Sequence, residues 1–362
     1  MASILCVTSD LAGILYSSVE LARRLVLDGH RVTVASFVEA RATVEAQGLD
    51  FVPLERSRYP DFIAADRRLG VFKRLRRLEE RRRDALDALA VEDLLEAARR
   101  MAPDLILIDG ELHEQIIALA GAFSDGGPPI VGLNTFVSIW RRPGLPPPNR
   151  RATPGVGWQG SRFGMWLLWQ ALWLKKQLRA GRLRLQRVGC DRLSLLRRLA
   201  DQHGFDFRRE TDTTQWLMPF TYRRLPVLSL HALEFEFPHQ PPEHVTYVGP
   251  LLLETRRDRT SPEDRAQLQE LYDTCRDGRQ KLIYAAFGSF FTSNLGFLRR
   301  LAVTAAERPD WELVISLGGK REPAELGELP ERVHAFRWLP QLEVLQHASV
   351  AITHGGINTL DE

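Results

Sequence analysis

The strongest constraint on this chain is an alternation near its start, in which short apolar runs and amphipathic stretches follow one another with almost no slack. Residues 4–8 form a continuous run that is apolar up to Thr8. Such a run suits a strand buried on both faces of a parallel sheet. Residues 17–27 follow, with Val19, Ala22, Leu25 and Val26 on one helical stripe and Gly29 placed to close the helix. The pattern then repeats, with a strand over 31–36, a helix over 39–47 backed by Gly48, and a strand over 51–54. Units this tight leave right-handed crossovers between parallel strands. The expected class is α/β with parallel sheets.

Residues 59–70 read as an irregular loop and 71–100 as one long or broken helix. The 67–83 part carries nine basic residues against Glu79 and Glu80. Two readings stand side by side, a solvated helix face with i,i+4 ion pairs and a surface drawn to anionic lipid. A strand over 103–109 ends in Asp109-Gly110-Glu111, followed by a helix over 112–123 and a strand over 129–133. Open α/β sheets place ligands beyond the carboxyl ends of their strands, which favours Asp109 over most other acids here.

After a Pro/Arg loop at 141–154 comes FGMWLLWQALWL, residues 163–174, with three of the eight tryptophans. These twelve uncharged residues are too few to span a bilayer. Lys175, Lys176, Arg179, Arg182, Arg184 and Arg187 follow at once. Peripheral membrane contact through 163–187 is one reading; a helix covering a binding cleft with its tryptophans inward is the other. Short strands are expected at 217–218, 227–228 and 246–248, with a Pro/His loop at 238–242. A mixture of acids and bases over 253–264 marks a boundary. A helix capped by Ser261 or Asp264 then runs to Thr274, and strands follow at 281–286, 311–316 and 333–336.

At 362 residues the chain has room for two cores. A net charge of +3 reflects local arginine clusters and gives no ground for a nucleic-acid partner. Cys6, Cys190 and Cys275 are far apart, match no metal spacing and suit a reducing compartment. The N-terminus has no basic leader, and its apolar run is short for a signal peptide. The expected location is the cytoplasm, with the inner face of the membrane as the peripheral variant.

The densest chemistry lies in 338–362, WLPQLEVLQHASVAITHGGINTLDE. Residues 342–347 read as a short helix, 350–352 as a buried strand, and 353–356 as a tight turn into a helix opening near Ile357. Two adjacent glycines let an anion approach backbone N–H groups at such a helix start. His354 stands before them, and Asn358 and Thr359 lie in the first helical turn. Glu362 falls one turn beyond Asn358, on the same face. Trp338 offers a flat ring to stack and Gln341 an amide to read a base edge. Together these groups make a nucleotide-diphosphate site.

Trp338-Leu-Pro-Gln341, then Thr353-His354-Gly355-Gly356-Ile-Asn358-Thr359 and Glu362, resembles the donor signature of the UDP-sugar glycosyltransferases. These have two Rossmann-like domains (the GT-B fold), and the spacing is that of the bacterial macrolide and carotenoid members. The resemblance implies that Trp338 stacks on uracil and Gln341 bonds the base edge. It implies that His354, Gly355, Gly356, Asn358 and Thr359 hold the diphosphate and that Glu362 takes the ribose hydroxyls. Ser289, in Phe287-Gly288-Ser289, corresponds to a hydroxyl near the diphosphate. Asp28-Gly29-His30 and Tyr247-Val248-Gly249-Pro250-Leu251 are similar to family segments, and 133–148 looks like part of the zeaxanthin glucosyltransferases. The implied division is an acceptor-binding domain over 1–245, a linker over 246–262 and a nucleotide-sugar domain over 263–362. The family continues past the position of Glu362, so the second domain is expected to be incomplete.

The implied reaction moves a hexose from a UDP-sugar to a hydroxyl of a lipophilic acceptor (carotenoid, macrolide or sterol-like), with inversion. It needs no metal or cofactor, and the sequence offers no Asp-x-Asp motif or His/Cys cluster to hold one. It does need a base. Relatives carry a Gly-His pair after the first strand, held by an aspartate at the end of the fourth; here the pair is Gly13-Ile14. The partner aspartate, Asp109, remains, and Asp10 lies on the same loop. Those two are the candidate catalytic residues, with Tyr16, Glu111 and His113 as further groups nearby. The alternative is a catalytically impaired relative that binds nucleotide or lipid, or serves as an accessory protein.

Overall fold

A computed structural model of the chain describes residues 1–124, 126–137, 140–142, 144–216, 219–236, 239–256, 260–288 and 294–362, with the backbone alone at Val71. The chain divides into two compact units, Met1–Leu251 and Leu252–Glu362.

In the first unit the described strands are β1 (Ser3–Val7), β2 (Arg31–Ser36), β3 (Asp50–Pro53), β4 (Leu105–Asp109), β5 (Ile130–Asn134), β6 (Thr211–Asp212), β7 (Thr221–Tyr222), β8 (Val227–Ser229) and β9 (Val245–Tyr247). Seven of them form a parallel sheet in the order β3-β2-β1-β4-β5-β8-β9, and β6 pairs antiparallel with β7 apart from it. Leu5, Val7, Ile106 and Ile108 are buried in one cluster with Ile116 and Ile117 of the helix His113–Ala122. The chain leaves β1 toward β2 on one side and later returns to β4 on the other. The crevice at this reversal lies beyond the carboxyl ends of β1 and β4, where the Ser9–Asp10 and Asp109–Glu111 backbones emerge.

Several elements differ from the sequence expectation. The first helix is Ala12–Leu27, starting five residues early because Ile14 and Leu15 extend the buried stripe of Val19 and Ala22. Gly13 and Ile14 therefore sit in a helical turn, with Ile14 only 4% exposed; Val26, expected on the stripe, is exposed. The supposed loop at 59–70 contains the helix Tyr59–Asp66. Pro60 sits in its first turn, where a missing N–H is harmless, and Tyr59 and Ile63 are buried one turn apart. The 71–100 stretch is three helices, Val71–Arg76, Leu78–Asp87 and Glu92–Met101. The helix expected at 163–174 runs from Arg162 to Gln186, capped by Ser161. Its tryptophans do not all turn inward: Trp169 is buried and donates to the Leu145 carbonyl at 2.8 Å, whereas Trp166 and Trp173 are exposed. The strand expected at 217–218 lies outside the described residues.

The second unit begins its regular structure with the helix Pro262–Cys275. Ser261 is its cap, the hydroxyl accepting from the Asp264 N–H at 3.0 Å. Strands β10 (Lys281–Ala286), β11 (Trp311–Ser316), β12 (Val333–Phe336) and β13 (Val350–Thr353) form a parallel sheet in the order β12-β11-β10-β13. Ile283, Ala285, Leu313 and Ile315 pack on the helix Leu295–Ala306. Leu282, Tyr284 and Val314 pack on the other face with Leu268, Leu271 and Val344. β10 and β11 are covered on both faces, which suits their apolar centres; β13, expected as a buried strand, lies at the end of the order beside β10 and is open, with Val350 51% exposed. Its order reverses between β10 and β13, so the ligand crevice falls at the ends of those two strands. No described helix is long and apolar enough to cross a membrane.

Candidate functional site

The second unit gathers most of the sequence motif at the carboxyl edge of its sheet. β10 and β13 are hydrogen-bonded neighbours, with Ala286 level with Thr353. The turns that follow them, at Gly288 and at His354-Gly355-Gly356, are brought together. A Cβ added to Gly288 would stand 2.8 Å from Cε1 of His354, and one added to Gly356 would stand 2.7 Å from Nε2. The imidazole thus lies between two bare backbones, at a distance only glycine allows. Gly288 and Gly355 also have left-handed backbones, at φ of +61° and +76°. Both are conformations glycine adopts without strain. Ser289 lies outside the described residues.

The helix beyond this turn opens at Ile357. The turn offers His354 and the first-turn amides, which have no partner inside the helix. Asn358 and Thr359 occupy that first turn, as expected.

Trp338 packs on the Gly318-Gly319 turn after β11. A Cβ on Gly319 would come within 2.3 Å of the indole ring atoms. The ring rests against backbone on one side, which fixes a flat surface at the sheet's edge.

Gln341, Thr359 and Glu362 form a third group. The Gln341 amide nitrogen donates to the Thr359 hydroxyl at 3.3 Å and to a carboxylate oxygen of Glu362. Its carbonyl accepts from the Tyr284 hydroxyl at 3.0 Å. Glu362 also takes both nitrogens of the Arg256 fork. Tyr284 and Arg256 were not singled out from the sequence. Their partners stand 57 and 106 positions away, and no local pattern connects them.

In the first unit the two candidate bases have different surroundings. Asp10 pairs with Arg56 at 2.8 Å. Asp109, at the end of β4, is 2% exposed, and its Oδ1 accepts from the Glu111 N–H at 3.0 Å. Its Oδ2 is buried without a hydrogen bond. Burial pushes its pKa up to about 6, with the Glu111 backbone acting against it. Burial likewise raises Glu111, opposed by the nearby charge of Arg192. Asp109, Glu111 and His113 share a partly open cavity of about 40 Å³ with Trp140, Phe220 and Tyr222. His113 Nδ1 lies 3.1 Å from the Tyr222 hydroxyl. A water occupies roughly 10–15 Å³ on such a measure, so the cavity suits a hydroxyl and its carbon and not a whole lipophilic molecule.

Behind the cavity lies a buried polar chain that sequence reading did not anticipate. Asn134, at the end of β5, donates to the Phe136 carbonyl at 2.7 Å and to Ser229 Oγ at 2.9 Å. Ser229 lies 3.2 Å from His231 Nδ1, and His231 Nε2 lies 3.1 Å from Glu236. Glu236 also accepts from Tyr247 and Arg142, each at 2.8 Å. The order Ser-His-Glu is that of a nucleophilic relay, but Ser229 has no exposed surface for a substrate to reach. The chain ties the ends of β5, β8 and β9 together. Its members are scattered from 134 to 247, which hid it from motif reading.

No protein-family profile matches the chain. The oleandomycin glycosyltransferase of Streptomyces antibioticus is 40% identical over 79 residues, 22% of this chain and 18% of that protein. The sterol 3-beta-glucosyltransferase of Aspergillus terreus is 23% identical over 369 residues, 98% of this chain and 24% of that protein. The chain spans about a quarter or less of the length of these two relatives. Among solved structures, the glycosyltransferase VinC in complex with dTDP superposes with a TM-score of 0.56 at 19% identity, covering 99% of this chain and 77% of that one. The fold is GT-B, two α/β domains with parallel sheets, and the chain has homologues among macrolide and sterol glycosyltransferases.

Proposed function

We propose, on the premise of the GT-B fold and these homologues, that the chain is a glycosyltransferase moving a hexose from a UDP-sugar to a hydroxyl of a lipophilic small molecule. The acceptor class is carotenoid, macrolide or sterol-like, and the reaction inverts the anomeric centre without a metal. The observation that carries the reading is His354 held between Gly288 and Gly356 at the strand reversal of the second unit. A diphosphate needs donors fixed in advance at that position. Trp338 would stack on the base, and the Gln341–Glu362 pair would meet the base edge and the ribose. Ser289, Asn358 and Thr359 complete the assignment.

In the reaction, the acceptor hydroxyl attacks the anomeric carbon as the bond from that carbon to the diphosphate oxygen breaks. Its proton passes to Asp109 Oδ2, and UDP leaves with the bonding pair. Asp109 suits the task better than Asp10. Its carboxyl lines a cavity of hydroxyl size, and a pKa near 6 makes it a stronger base than an ordinary carboxylate. Asp10 is drawn toward Arg56. A second reading, an impaired relative that binds nucleotide without transferring sugar, is favoured by one observation: Ile14 fills the expected base position and is buried there.

Calorimetric titration with UDP and with dTDP tests the donor half. Binding of UDP that Trp338→Ala loses supports it. Tighter UDP than dTDP binding supports the ribose role of Glu362, because dTDP lacks the 2′-hydroxyl. A folded chain that binds neither sinks the proposal. Nucleotide binding without transfer to any lipophilic alcohol supports the second reading. Peripheral membrane contact through 163–187 belongs with the first reading, since lipophilic acceptors partition into bilayers.

A further inference from the structure

The helix Arg162–Gln186 has two apolar stripes where a surface helix needs one. The inner stripe is Met165, Trp169 and Leu172, all buried. On the opposite side, Phe163, Leu167, Leu174, Leu178 and Leu185 recur at helical spacing and are exposed, Leu178 by 65% and Leu185 by 81%. Trp166 borders this outer stripe. Lys175, Arg179 and Arg182 run along one flank, and Arg162 and Arg184 along the other; the helix contains no acidic residue. The neighbouring helix Val71–Arg76 extends the same surface. Its Phe72 and Leu75 are exposed beside Lys73 and Arg76, and Arg74 donates to the Gln186 carbonyl at 2.8 Å, joining the two helix ends.

Beside Leu185 opens a hollow of about 590 Å³ lined by Arg82, Arg184, Arg197 and Arg198 against a single acid, Asp201. Arg82 shares its charge with Glu79. The hollow is within the size range of small-molecule sites, roughly 300–1,000 Å³. Its chemistry is that of a site for a phosphodiester.

We infer that this surface docks on an anionic phospholipid bilayer, the outer stripe of Arg162–Gln186 entering the headgroup boundary while the arginine hollow takes a lipid phosphate. Charge complementarity selects the occupant. A second copy of the chain would bring its own basic flanks against these, whereas anionic headgroups match them along the whole helix. Each basic residue near such a surface strengthens partitioning by about fivefold, and the exposed leucines add an apolar term that vesicles without anionic lipid supply only weakly. The inference rests on the proposed lipophilic acceptor for its purpose and not for its physical basis.

Flotation with phosphatidylcholine vesicles, with and without phosphatidylglycerol, tests it. The intact chain is expected to float with the anionic vesicles, less at high salt, and hardly with phosphatidylcholine alone. Leu174→Glu with Leu178→Glu changes only exposed positions and is expected to lower partitioning by about tenfold or more, with an unchanged circular-dichroism melting curve. Arg197→Glu with Arg198→Glu should lower it as well. Brominated lipids should quench tryptophan fluorescence of the unmodified chain, a readout that needs no variant. Absence of flotation, equal flotation with both vesicles, or unchanged flotation of the leucine variant would overturn the inference. So would a dimer in sedimentation velocity that the leucine variant disperses. Parallel UDP titration separates the two readings: lost vesicle binding with intact UDP binding overturns docking alone, and vesicle binding without UDP binding leaves docking standing while the transfer reading falls.

Discussion

The imidazole of His354 rests against the bare Cα of Gly288, so close that a single methyl group there would stand 2.8 Å from Cε1. Gly288→Ala therefore must displace the ring, and the left-handed backbone at this position adds strain of about 1 kcal/mol. The expected result is a roughly tenfold or greater loss of UDP affinity by calorimetry. Removing the imidazole as well relieves the clash. Gly288→Ala with His354→Ala is thus expected to bind no more weakly than His354→Ala alone. Additive losses would show that the two positions act separately.

The Trp338 ring is positioned by Gly319, so the two residues should fail together. Trp338→Ala is expected to weaken UDP binding by about 1–3 kcal/mol, the range for a base stacked on an aromatic ring. Gly319→Ala, which pushes a Cβ into the indole, is expected to give a comparable loss although it touches no ligand. Wild-type affinity in Gly319→Ala would mean that the ring is not the base platform.

These two contacts also show what was legible in the sequence. Strands β10, β11 and β12 match their expected limits residue for residue, because each is a mostly apolar stretch set between polar or turn residues. The motif residues were legible because 25 positions hold them all. Nothing local in the sequence ties Gly319 to Trp338, which stands 19 positions later. Tyr284 and Arg256 were missed for the same reason. Their roles exist only after β10 and the chain before Pro262 are folded against the last turn. The helix Tyr59–Asp66 is short and carries Pro60 in its first turn, where proline is tolerated, so it stands out poorly from a loop.

Tyr284 anchors Gln341 through one hydrogen bond from a buried hydroxyl. Tyr284→Phe keeps the ring packed and releases the Gln341 carbonyl. The expected effect is about 0.5–1.5 kcal/mol on nucleotide affinity, read as a rise in KM for the donor with kcat little changed. A fall in kcat at constant KM would contradict a positioning role.

Asp109 should trade stability for activity. Its carboxyl is raised from 3.8 to about 6 by burial, so the folded state favours the protonated form. That contribution is fully present below pH 4 and is lost as pH rises through about 6. Asp109→Asn has no charge to bury and is expected to be more stable than the wild type at pH 8 by about 1–3 kcal/mol. The difference should shrink toward pH 4, as read from denaturant titrations. The same variant should lose about 10²–10⁴-fold in transfer rate with UDP affinity intact. In the wild type, transfer should decline as pH falls below about 6, where the base is protonated. A variant that retains the wild-type rate would move the base to another residue, with Glu111 and His113 in the same cavity as the first to replace.

Asp66 and Arg81 form a buried pair of a different kind, bidentate at 2.5 and 2.8 Å with both side chains 4% exposed. It joins the helix Tyr59–Asp66 to the helix Leu78–Asp87, and Arg81 also donates to the Arg74 and Arg187 carbonyls at 2.9 and 3.3 Å. Removing one charge strands the other in a dry environment. Asp66→Ala is expected to destabilise the first unit by about 3–5 kcal/mol. Replacing both residues with apolar side chains of similar volume should recover much of that loss. Differential scanning calorimetry distinguishes the cases, and UDP binding by the second unit serves as the internal control. A small effect of Asp66→Ala would mean that water reaches the guanidinium once its partner is gone. Because Arg74 and Arg187 both hold the C-terminal end of the helix Arg162–Gln186, loss of the pair should also loosen the basic surface. The single variant is then expected to float less well with anionic vesicles than the doubly apolar replacement, even where both remain folded.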